Sequence, residues 1–108
     1  MTLTQRIAEI HATAKPYRHH GLTASAEMIG HLRAYAEHGA PLGDFLGAVV
    51  DNDLSKACSR ADEENAANLP ALVAWLYNEA PHGCWGYAGA YGQWIESHRR
   101  KRKGEIGG

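Results

Sequence analysis

The chain has 108 residues, 44% of them hydrophobic and 21% charged, with a formal net charge of −1. That length holds one domain with a modest core, and the composition is too apolar for a chain that stays disordered. The near-zero charge excludes a global field that would recruit nucleic acid or anionic lipid, so a charge-driven partner must use a local patch.

The longest apolar runs fall far short of the roughly 20 residues of a bilayer span. The opening MTLTQRIAEI lacks the charged-then-apolar pattern of a secretory leader. Both features point to a cytoplasmic protein with no membrane partner. Cys58 and Cys84 are too few for a disulfide framework, and they are read as reduced thiols. Apolar residues recur at helical spacing and never alternate for long. The expected fold is therefore all-α, a compact single-domain bundle of about five to six short helices. The domain is set at residues 1–98, with a basic, frayed tail over 99–108.

In chain order, Leu3, Ile7, Ile10 and Ala14 share one narrow arc, with Thr2 and Gln5 as a capping box ahead of them and Pro16 as the stop. Lys15 to Gly21 reads as a polar, His-rich connector. Thr23 can then cap a second helix with Met28, Ile29, Leu32, Tyr35 and Ala36 inward, ended by Gly39. Pro41 fits the first turn of a third helix that buries Leu42, Phe45, Leu46 and Val49.

After Asp51, either Asn52 or Asp53 can cap a fourth helix with a small-residue stripe of Leu54, Ala57, Cys58 and Ala61. Asn68 and Pro70 open the fifth, with Leu69, Leu72, Val73, Leu76 and Ala80 inward and Pro81 beyond its end. A last helix is expected from Ala88 to Arg100, carrying Tyr91, Trp94, Ile95 and His98 on one face. Leu32, Phe45, Val49, Leu54, Leu72, Leu76 and Trp94 are expected to form one contiguous core.

The stretch from Asn52 to Asn65 breaks a local rule. At 100° per residue, Asn65 and Asn68 fall in the same arc as Leu54, Ala57 and Ala61, so an apolar stripe turns polar halfway along. A buried amide needs partners. Asn65 either bonds a helix end or the loop around Pro81, or it faces a ligand.

Arg60 has two readings as well. It pairs with Glu64 at i,i+4 on a solvated face, or Asp53 or Asp62 holds its planar guanidinium toward a pocket near Trp85. Trp85 itself sits in a Gly- and Pro-rich turn, where it can plug the core or anchor a partner. The candidate ligand- or partner-binding residues are accordingly Asn52, Asp53, Arg60, Asp62, Asn65 and Trp85.

Other chemistries find little support. His82 and Cys84 form an H-x-C pair without a second pair at zinc-site spacing, so no metal is expected. Gly86-x-x-Gly89-x-x-Gly92 follows no strand and lacks an adjacent Lys-Ser or Lys-Thr, so no cofactor is expected either.

The pattern Pro41-x-Gly43-x-Phe45-Leu46-x-Ala48-Val49-x-x-Asn52-Asp53-Leu54-x-x-Ala57-x-x-Arg60-Ala61-Asp62-x-x-Asn65 resembles that of a family of small accessory proteins of tailed bacteriophages and prophages. The resemblance continues through Leu76-Tyr77-Asn78-x-Ala80-Pro81 and Cys84-Trp85-Gly86. It brings no activity that carries over residue by residue. It implies a setting, the cytoplasm of an infected bacterium, and a non-enzymatic binding role against host defence. The implied partner is a bacterial defence protein or a nucleotide-type signal, with self-association into a homo-oligomer left open. The competing classes are a small hydrolase or transferase using Cys84, and a nucleic-acid-associated protein using the tail Arg99 to Lys103.

Overall fold

Thr2 starts the first helix as its sequence promises. In the computed structural model, which describes the backbone of residues 1–107 and side chains through Gly104, the Thr2 hydroxyl accepts from the Gln5 N–H at 3.1 Å. The Gln5 side chain accepts from the Thr2 N–H at 2.8 Å, completing a capping box for α1 (Leu3–Thr13).

The following segment differs from the polar connector expected. Tyr17–His19 (β1) and Leu22–Ala24 (β2) pair antiparallel, with Tyr17 opposite Ala24. His20 and Gly21 turn the hairpin with φ of 49° and 79°, the positive pair that a two-residue turn of matching twist requires. Three-residue strands are too short to show alternation, which is why the sequence concealed them. The fold is therefore mostly helical with a small two-stranded sheet, not purely all-α, and it has seven helices among the described residues. Thr23 lies in β2, and Ser25 is the residue that caps α2 (Ala26–His38), its hydroxyl accepting from the Met28 N–H at 3.2 Å.

Gly39 ends α2 in the left-handed region at φ 68°. A second constraint fixes glycine there: an added Cβ would lie 2.5 Å from the His98 Cβ of the last helix. α3 (Asp44–Val50) begins three residues after Pro41, with Gly43 as its N-cap. Its residues Phe45 to Val50 are all buried.

α4 (Leu54–Arg60) stops at Ala61, whose extended backbone (φ −76°, ψ 139°) separates it from α5 (Glu63–Ala67). The expected single helix through Asn65 is thus two short ones. α6 (Leu69–Glu79) carries Pro70 in its first turn, as expected, and buries Ala71, Leu72, Ala74, Trp75 and Leu76. α7 (Ala90–Gly107) starts later than Ala88 and runs on through Arg99 to Lys103, past the boundary at 98 set from the sequence.

The core gathers from α2, α3 and α6, where Leu32, Tyr35, Phe45, Val49, Val50, Leu72, Trp75 and Leu76 pack together, with Trp94 half-buried against them. Each fully buried Leu contributes on the order of 1.5–3 kcal/mol. Leu54 does not join them. It is 67% exposed, because the seven-residue α4 turns only Ala57 inward. Truncating Phe45 to alanine should therefore cost about 3–5 kcal/mol in urea-monitored unfolding, while Leu54→Ala should cost less than about 0.5 kcal/mol.

Candidate functional site

Three of the six candidate residues punctuate helices. Asn52 is exposed and left-handed (φ 59°), a conformation asparagine tolerates better than most side chains, and it turns the chain from α3 into α4. Asp53 caps α4, its Oδ1 accepting from the Lys56 N–H at 3.1 Å. Asp62 caps α5 in the same way through the Asn65 N–H at 2.8 Å.

The break at Ala61 also changes the partner of Arg60. Glu64 now belongs to a different helix, and the Arg60 guanidinium reaches Asp44 of α3 at 3.8 Å instead. Neither capping aspartate holds it, correcting both sequence readings. Both members of the Arg60–Asp44 pair are more than half exposed, so its contribution to stability is small.

Arg60 and Asn65 do meet in one place. With Met28, His31, Asp44 and Phe45 they line an open cleft of about 510 Å³ between α2, α3, α4 and α5. Its lining mixes apolar Met28, Phe45 and Leu46 with polar His31, Asp44, Arg60 and Asn65, which suits a side chain or small group of a binding partner. Trp85 is not among the cleft's lining residues. It is half-buried against the core, and the N–H of the neighbouring Gly86 donates to the Val50 carbonyl at 2.8 Å. Gly86 has φ 94°, so the residue after the tryptophan must be one that tolerates a left-handed backbone. Asn68, which shared the polar break, is satisfied within the fold: its Oδ1 accepts from the Thr23 N–H at 2.9 Å and its Nδ2 donates to the Glu64 carbonyl at 2.8 Å.

Cys84 is fully buried, and burial pushes its thiol up to about 11. At neutral pH it is protonated and shielded, the opposite of an activated nucleophile. His82 is exposed on the same turn, so the H-x-C pair is split between solvent and core. Among the described residues, no group of three His, Cys, Asp or Glu side chains is arranged to hold a metal ion. Nor is any described helix long and apolar enough to cross a membrane.

Sequence reasoning missed an apolar surface. Leu54, Val73 and Tyr77 are 67%, 39% and 79% exposed, and Leu54 and Val73 line one shallow depression with Asn52, Asp53 and Leu69. Helical periodicity places Leu54 and Val73 inward because it finds an apolar arc and cannot say what covers it. Set beside family models, curated proteins and solved structures, the chain shows no match.

Two outcomes test this geometry. Arg60→Ala should shift unfolding by less than about 1 kcal/mol, measured in denaturant, since its ion pair with Asp44 is solvent-screened. For the cysteines, a thiol reagent at pH 8 should modify Cys58 rapidly and Cys84 only on unfolding. The raised Cys84 thiol favours the native state fully below its ordinary value of 9.0, and that contribution fades as pH climbs toward about 11. Stability should fall across that window, and Cys84→Ala should flatten part of the fall.

Proposed function

We propose that this chain is a non-enzymatic binding protein, a phage-type accessory protein that works in a bacterial cytoplasm by occluding a defence protein. The observation that carries the reading is the exposed apolar face where α4 meets α6. Val73 and Tyr77 lie one helical turn apart on α6, and Leu54 borders the same depression as Val73. Single exposed apolar side chains are ordinary on a protein surface, whereas adjacent ones led by a tyrosine have the character of a partner anchor.

The surroundings suggest the chemistry of the partner. Asp53 edges the face, and Asp62, Glu63 and Glu64 are exposed on the neighbouring α5. A protein surface with an apolar centre and a rim of lysine and arginine complements that arrangement. The buried, protonated Cys84 favours binding over cysteine catalysis.

The test is phage plaquing on a bacterium that carries a defence system, with the protein supplied in trans. Wild type should restore plaques. A Leu54→Asp, Tyr77→Ala variant at equal expression should lose about tenfold or more of that rescue, with melting within about 2 °C of wild type. Full rescue by this folded variant would remove the apolar face from the function.

A further inference from the structure

Helix formation sorts the basic run at the end of the chain into two faces. Arg99 and Arg100 turn toward Glu96: Arg99 donates to both carboxylate oxygens, at 2.9 and 2.8 Å, and Arg100 Nε donates to Oε1 at 3.3 Å. The single Glu96 carboxylate offsets one of the two guanidinium charges on that face. His98, Lys101 and Arg102 face elsewhere. With Arg6 of α1 and His38 of α2 they line a cleft of about 600 Å³. The cleft's one acidic lining residue among those described is Glu37, whose carboxylate is drawn to Arg33 at 3.3 Å. Leu3, 39% exposed, supplies an apolar wall.

A structural reason exists for one member of this group. Arg102 Nη1 donates to the His38 carbonyl at 2.9 Å, and a cation belongs at the C-terminal end of α2. That accounts for neither Arg6, brought in from another helix, nor Lys101. Basic side chains converging in a concavity repel one another and focus a positive potential into it. His98 feels this: burial, then Lys101, Arg102 and His38, hold its imidazole below the usual histidine value. An anion would relieve that repulsion.

We propose that the cleft between α1, the C-terminal end of α2 and α7 binds a small, multiply phosphorylated anion of nucleotide size through Arg6, His38, His98, Lys101 and Arg102. The volume falls within the range of about 300–1,000 Å³ common to small-molecule sites. The arginine forks match phosphate oxygens in pairs, and Lys101 adds a mobile point charge. Leu3 can take the flat apolar face of a base. A nucleic-acid strand fits less well, because a backbone is tracked along an extended basic groove and Glu96 occupies the arginines next in line. The site shares no residue with the apolar face, so each can fail without the other.

The experiment is calorimetric titration of the full chain with inorganic pyrophosphate and with ADP at low salt, alongside imidazole NMR of His98. Saturable one-to-one binding and a shift of the His98 resonances are expected. Arg6→Gln with Lys101→Gln, both exposed and judged folded by circular dichroism, should weaken binding about tenfold or more. Arg99→Gln with Arg100→Gln should leave it within about twofold. No saturable binding and no His98 shift at millimolar pyrophosphate and ADP would overturn the proposal. So would equal weakening by both variant pairs, the mark of net charge alone. Displacement of ADP by a tighter-binding single-stranded oligothymidylate would assign the cleft to nucleic acid instead.

Discussion

Tyr35 is fully buried in the middle of α2, and its hydroxyl donates to the Cys84 carbonyl at 2.8 Å, with the Ala90 carbonyl 3.4 Å away. Burial raises its phenol far above the usual range, so it is a protonated donor at neutral pH. The segment from Pro81 to Gly89 has no regular ladder, and its buried carbonyls need partners from elsewhere. Tyr35 provides one from its side chain, and from its backbone the carbonyl accepts from Trp94 Nε1 at 3.0 Å. A single residue of α2 thereby fixes both the irregular segment and the helix that follows it.

The rest of α7's docking repeats that logic with other groups. Asp51 Oδ1 accepts from the Tyr91 N–H at 2.8 Å, and the Tyr91 hydroxyl accepts from the Leu42 N–H at 3.0 Å while lying 3.2 Å from the Leu42 carbonyl. Because these bonds hold the start of α7 against α2 and α3, its later turns cross the end of α2 at Gly39. Only there can Arg102 and His98 share a cleft with Arg6. The proposed anion site thus depends on polar contacts far from it in sequence.

Polar residues that look functional in a linear reading divide cleanly once their partners are known. Asp53, Asp62 and Asn68 satisfy backbone groups, and Asn52 supplies a left-handed turn. What remains for function is the surface those residues do not need: the Arg60–Asn65 cleft, the Leu54–Val73–Tyr77 face and the basic cleft of α7. Short helices make this division sharp, since α4 and α5 are too brief to bury a full stripe and must be defined by their caps.

By itself the sequence determined the mostly helical class, the capping box at Thr2, the stop at Gly39, the start of α6 near Pro70 and most of the core from Leu32 to Leu76, because these follow from local periodicity and backbone chemistry. Tertiary structure alone decided the hairpin at Tyr17–Ala24, the break at Ala61, the pairing of Arg60 with Asp44 and the exposure of Leu54. Each of those turns on a partner distant in sequence or on an element too short to carry a period. The basic run shows the same limit: five adjacent cationic letters carry one meaning as a string, and the helix gives them two faces. Which face gathers an anion is set by what α1 and α2 bring to meet it.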